Sequence, residues 1–231
     1  MKTIFSLIAR VVRTRLTMLV VSLSILFVLP VHAAKVQCEL IENSQVNPGI
    51  IARMLEAADE GHLYRVDTGR SRIGFQVKHF PFSKVEGAFN RFDGGLTLPE
   101  GNNPSRVALF LVKADSMATG DHELDDYLKS ASFFNAAQFP DIIFVSTGFE
   151  RLGGSTARLY GDLTLRGITR SLAFTVHVDQ AAGQDADNDH AVVIHADADL
   201  QRSEFGMHAL SLLVSDTVTL SIRIEATRVR I

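Results

Sequence analysis

Three groups of residues have side chains that could do chemistry. Asp121, His122, Glu123, Asp125 and Asp126 place five titratable groups within six positions. Such a density suits a metal or an acid–base centre. It is equally what a helix start collects, because acidic side chains accept from the orphan backbone N–H groups and oppose the positive end of the helix dipole. We read the cluster as capping and solvated charge, with no catalytic and no metal-binding residue assigned. Asp185, Asp187 and Asp189 have the opening spacing of a calcium loop. His190 stands where that loop turns on glycine and Ala196 where it closes on a bidentate glutamate, so the segment reads as an acidic hairpin loop. His79 is the third candidate, the one titratable side chain that continues an apolar alternating row. It reads either as a barrel-end histidine satisfied by its neighbours or as a hydrogen-bonding group for a polar ligand head. The sequence contains no Gly-x-Ser-x-Gly elbow, phosphate-binding glycine loop or Cys-x-x-Cys pair.

The elements that must position these residues begin after a leader. Lys2, Arg10, Arg13 and Arg15 precede an uncharged, largely apolar run at residues 16–29, which ends at Pro30. Val31 and Ala33 then supply the small residues of a signal-peptidase site. The run has 14 residues, whereas a membrane-spanning helix needs roughly 20. We therefore expect a signal peptide over residues 1–33, cleaved near Ala33, and a periplasmic mature chain. Its removal takes away four positive and no negative side chains, moving the formal charge from −3 to −7. An acidic chain lacks the basic footprint that nucleic acid requires. The only cysteine is Cys38, so the fold must rest on its apolar core rather than on disulfides.

Residues 34–61 read as an N-terminal extension. Asn47 is an N-cap candidate, Pro48 suits the first helical position, Ile50, Ile51, Met54 and Leu55 form one stripe, and Gly61 is the stop. From residue 62 to 231 the apolar period becomes two. Strands are expected at residues 71–79, 85–89, 106–114, 141–149, 157–165, 171–180, 191–200 and 217–230, with one helical interruption near residues 121–130. Asp93-Gly94-Gly95, Gly101-Asn102-Asn103-Pro104, Gly153-Gly154-Ser155 and Arg166-Gly167 read as the turns between them. Many short strands with hairpin turns indicate an all-β antiparallel sandwich or barrel. One face is almost uniformly apolar, for example at Leu163 and Leu165, Phe174 and Val176, or Leu220, Ile222 and Ile224. A small closed barrel either fills such a face with side chains or encloses one ligand. Gly87, Gly161, Ala196 and Ala198 on the same face would leave room, but the pattern by itself does not decide between packed core and cavity.

The order of motifs carries a further reading. Tyr64-Arg65-Val66-Asp67 is followed by Ile73-Gly74-Phe75-Gln76-Val77-Lys78-His79, then by Val85-Glu86-Gly87-Ala88-Phe89 with Phe92-Asp93-Gly94. Next come Thr119-Gly120-Asp121-His122-Glu123, the run from Leu128 to Asn135, and Phe139-Pro140. Gly161-Asp162-Leu163-Thr164-Leu165-Arg166-Gly167-Ile168-Thr169-Arg170, Arg202-Ser203-Glu204-Phe205-Gly206-Met207 and Val218-Thr219-Leu220 complete the series. Together these residues resemble the YceI-like family over roughly residues 62–230. The resemblance implies an eight-stranded, lipocalin-like barrel with a long tunnel for a polyisoprenoid or quinone-like lipid, in a periplasmic carrier that is not an enzyme. Such a lipid would be the one bound group, with no other cofactor. A homodimer and a transient membrane contact are compatible with it.

On strand parity, the ligand-facing residues are expected to be Phe75, Val77, His79, Val85, Phe89, Leu109, Leu111, Phe144, Leu163, Phe174 and Ile222, with Phe133 and Phe134 closing one end. A slip of one residue in any strand would turn its whole set outward. Two other classes compete with the lipid carrier. One is an envelope module that binds protein partners through its acidic surface and extra helix. The other is an enzyme acting on an amphipathic substrate through His79 or the cluster at residues 121–126.

Overall fold

The alternation of apolar and polar residues does produce strands, and they close into a barrel. The computed structural model describes residues 48–59, 62–81, 83–97, 107–180 and 191–229. The expected leader and its cleavage site, Cys38, Asn47, Gly61, the turn at residues 101–104 and the aspartates at residues 185–189 lie outside them.

Helix α1 (Pro48–Asp59) precedes β1 (Leu63–Val66), β2 (Arg72–His79), β3 (Ser83–Phe89), β4 (Phe92–Thr97), β5 (Ala108–Lys113) and the short β6 (Met117–Ala118). After helix α2 (His122–Lys129) come β7 (Asp141–Gly153), β8 (Thr156–Leu165), β9 (Ile168–Gln180), β10 (Ala191–Gln201) and β11 (Val214–Arg228). All pairings are antiparallel, in the order β1-β4-β5-β7-β8-β9-β10-β11-β2-β3-β6, and β1 returns to β11. Eleven segments occupy eight positions around the barrel. β11 pairs with β2 through Val214–Arg223 and with β1 through Ala226–Arg228, so β1 and β2 are two halves of one broken strand. β3 and β4 share the next position, and β5 and β6 the one after, interrupted by a 3-10 turn at Ala114–Ser116. Among the described residues the outer side of β3 is paired only at Ala88 and Phe89, by β6.

Two sequence expectations change. Asp93-Gly94-Gly95 is not a turn; it lies inside β4. The glycines answer to close approach, since a Cβ on Gly94 would sit 2.6 Å from the Leu109 carbonyl and one on Gly95 2.9 Å from the Met54 Cε. The second change concerns Leu109 and Leu111, which do not face the interior. They form a separate apolar cluster with Ile143, against which Ile50, Ile51, Met54 and Val145 pack. The segment from Val107 to Val112 is apolar at every position. Its inner face enters the lumen through Ala108, Phe110 and Val112, and its outer face is covered by α1. When both faces of a strand are buried, parity cannot be read from hydrophobicity.

The turn at Arg166-Gly167 is a two-residue hairpin with φ of 54° and 71°, the pair of positive values that matches strand twist. Arg166 also donates from its guanidinium to the Phe133 and Ala131 carbonyls, which fastens the segment after α2 to this end of the barrel.

Candidate lipid cavity

The inward-facing positions do not fill the barrel. They enclose an apolar cavity of about 510 Å³, within the usual range for small-molecule sites. Phe75, Val77, His79, Val85 and Phe89 reach it from β2 and β3. Phe144, Leu163, Phe174 and Ile222 reach it from β7, β8, β9 and β11, and Phe133 and Phe134 from the segment after α2. Eleven of the thirteen expected positions thus converge on one wall; the two on β5 lie outside it, beneath α1.

Aromatic rings are arranged to line the lumen without blocking it. A Cβ on Gly87 would fall 2.4 Å from the Phe75 ring, and one on Gly161 2.3 Å from the Phe144 ring. The room expected at these glycines is therefore occupied, because each serves as a notch that lets a neighbouring ring lie against the wall. Phe144 meets Phe174 edge-on at 5.2 Å, while Phe89 lies 5.7 Å from Phe75 and 5.8 Å from Phe134. Such tilted and edge-on contacts fix ring orientation better than aliphatic packing does.

Polar groups on this wall are few, and most are already bonded. Ser146 Oγ accepts from the Ala108 amide at 2.7 Å and Thr97 Oγ1 from the Val107 amide at 2.9 Å. Arg202 is only 4% exposed. Its guanidinium donates to four backbone carbonyls: Ser215 at 2.9 Å, Met207 at 2.7 Å, Ala209 at 2.8 Å and Val214 at 3.1 Å. His79 differs from these. Its Nδ1 lies 3.0 Å from Ser83 Oγ, and the other ring nitrogen has no partner among the described residues. The histidine is the last residue of β2, and it lines the cavity with Ser83, Leu210 and Val214.

Two members of the acidic cluster, Asp121 and Asp125, are hydrogen-bonded within the protein. Asp121 caps the helix, accepting from the Glu123 and Leu124 amides at 3.0 and 3.2 Å. Buried Asp125 accepts from both the amide and the hydroxyl of Thr119 at 2.7 Å. Among the described residues no three His, Cys, Asp or Glu side chains converge as a metal site. The hydroxyl of Thr119 is the main cause that holds the Asp125 carboxyl below the usual range, against the opposing effect of burial. A depressed value in the folded state stabilises above the unfolded pKa and is lost as pH falls through the folded one. Asp125→Asn should therefore lower the urea midpoint modestly at neutral pH, and the gap to the parent should close in strong acid. A gap that is constant across pH would contradict this assignment.

Reading from sequence missed the residues of α2 that complete the wall. Leu124, Tyr127 and Leu128 line the lumen, and their spacing on a short helix was a legible apolar stripe. It also gave Arg202 no role, although this is the one lysine or arginine between Arg170 and Arg223.

With this geometry in place, comparisons with known proteins become informative. The family model described as "YceI-like domain" matches residues 64–226. A UPF0312 protein of Photorhabdus laumondii is 29% identical over 156 residues, covering 68% of this chain and 80% of that protein. Among solved structures, BcnA of Burkholderia cenocepacia superposes with a TM-score of 0.63 at 22% identity, over 70% of this chain and 99% of that one. A domain of Saccharophagus degradans, described as polyisoprenoid-binding and implicated in plant cell wall breakdown, gives a TM-score of 0.56 at 12% identity. It covers 71% of this chain and 98% of that one. Helix α1 precedes the matched family segment.

Proposed function

Since the chain belongs to the YceI-like family, we propose that it is a periplasmic carrier that holds one long polyisoprenoid or quinone-like lipid inside the barrel. The observation that carries this reading is the lumen: continuous, apolar, and lined by polar groups that are almost all satisfied by the protein itself. The polyisoprenoid-binding domain among the structural neighbours supports the class of ligand. Each methylene buried contributes roughly 0.8 kcal/mol, so a few isoprene units give a large gross stabilisation, offset in part by ordering a flexible chain. The role is binding rather than catalysis. Export to the periplasm is supported by the leader-like pattern of residues 1–33.

The test is native mass spectrometry of the mature protein purified without detergent, followed by organic extraction. A discrete added mass recovered as an apolar lipid is expected. A homogeneous protein-only mass with nothing extractable would remove the reading.

Recognition of a head group falls to His79, with Nδ1 engaged by Ser83 and the second ring nitrogen left for the ligand. His79→Ala should weaken retention of ubiquinone by about fivefold, the value of one hydrogen bond of about 1 kcal/mol. The ligand-free melting point should stay nearly unchanged. Equal retention by variant and parent in a competition against apolar beads would exclude the contact.

A further inference from the structure

On the outer surface of the barrel two histidines face each other across neighbouring strands. β9 and β10 pair antiparallel with His177 directly opposite His195. Their chain neighbours Val176, Val178, Ile194 and Ala196 line the cavity. Alternation therefore turns both imidazoles outward, and both are exposed. Residues directly opposite in an antiparallel pair have Cβ atoms roughly 4.5–5.5 Å apart. Two imidazoles at that spacing can close on one metal ion, each supplying a nitrogen at about 2 Å.

The residues around the pair repeat its symmetry. Each strand carries His-x-Asp, as His177-Val178-Asp179 on β9 and His195-Ala196-Asp197 on β10. Because the strands run in opposite directions, the aspartates fall on opposite sides of the histidines, with Asp179 facing Val193 and Asp197 facing Thr175. Two imidazoles and two carboxylates thus form a local two-fold set on one face of the sheet. Both aspartates are exposed. Neither they nor His195 enter a hydrogen bond or ion pair among the described residues. His177 Nδ1 lies 3.0 Å from Oγ1 of Thr156, its register partner on β8. That contact orients the ring and leaves Nε2 for another partner, as a bond to the second nitrogen does for metal-bound histidines.

The surrounding charge does not oppose a cation. Arg223 of β11 stands opposite His195, but its guanidinium is engaged by the Arg70 carbonyl at 2.6 Å and by Glu225 at 3.3 Å. Arg158 of β8 stands opposite Thr175. The two aspartates offset these two arginines. Among the described residues no three donors converge, so the protein supplies two nitrogens and water fills the remaining positions. Two imidazoles with oxygen ligands in a tetragonal arrangement suit copper(II), which also heads the affinity order of the divalent first-row metals.

We propose that His177 and His195 clamp a divalent transition-metal ion, copper(II) foremost, on the outside of the barrel and independently of any lipid in the lumen. The mature protein, without a histidine tag and with Cys38 alkylated so that no thiol competes, is titrated with copper(II) chloride in a weakly chelating buffer. Calorimetry and electron paramagnetic resonance follow the binding. One ion should bind with a tetragonal spectrum that carries the splitting of two nitrogens. His177→Gln and His195→Gln should each weaken the site by at least about tenfold, because a rigid pair loses the effective concentration of its second arm. Each should also leave the splitting of a single nitrogen. Melting points without metal, and lipid content, should match the parent, since both side chains point away from the core and the lumen. An affinity unchanged by both substitutions overturns the proposal. Loss on only one of them also overturns it, with a single histidine as the ligand. So does equal copper uptake by the parent and the H177Q/H195Q variant.

Discussion

Replacing Arg202 with methionine will destabilise the barrel by about 3 kcal/mol, equivalent to about 10 °C in melting point for a domain of this size. The guanidinium serves four backbone carbonyls and is almost wholly buried. Methionine matches much of its length but donates nothing, so those carbonyls lose their partner together. The part-buried carbonyls of Ala209, Val214 and Ser215 regain water, which keeps the loss below four times the cost of one stranded group. Arg202→Lys should recover only part of the stability, because an ammonium cannot reproduce a planar fork aimed in several directions. Hydrogen exchange sharpens the expectation. Amides of residues 210–215 should lose protection in the methionine variant before those of β8 and β9 do. Uniform loss across the barrel, or a melting point within a degree or two of the parent, would show that Arg202 does not brace this segment.

Legibility in the sequence followed how many faces of an element are buried. β2, β3, β8 and β9 have one apolar face and one mixed face, and their inward residues, such as Phe75, Phe89, Leu163 and Phe174, could be placed from alternation alone. β5 could not be placed, because α1 lies over its outer side and Leu109 and Leu111 are as apolar as Phe110 and Val112. β4 was hidden for another reason. Gly94 and Gly95 carry the composition of a turn, and only the proximity of the Leu109 carbonyl and the Met54 side chain explains why a strand needs them. The same lesson holds in the lumen. Gly161 suggested empty space, but the space exists to receive the Phe144 ring. His79 was legible as the one polar interruption of an inward row. The segment after α2 and the connection before β11 were not legible, because their positions depend on tertiary bonds to Arg166 and Arg202.

Filling the lumen without unfolding it separates cargo from core. Ala196 lies on β10 between Val176 of β9 and Ile222 of β11, and all three line the cavity. Ala196→Phe should cut the lipid recovered with the protein by at least tenfold, because the added ring occupies volume that an extended chain must thread. Its overpacking cost should stay at about 1–3 kcal/mol, small enough for the barrel to remain folded by circular dichroism. Ala173 supplies the matched control. It is exposed on β9, one residue before inward-facing Phe174, so Ala173→Phe adds the same ring to the opposite face of the sheet. That variant should carry as much lipid as the parent. If both variants retain lipid equally, the ligand does not occupy the lumen and must lie on the outside of the barrel. If Ala196→Phe loses it while Ala173→Phe keeps it, the apolar inward face is a binding surface as well as a core, the one distinction that alternation in the sequence could not make.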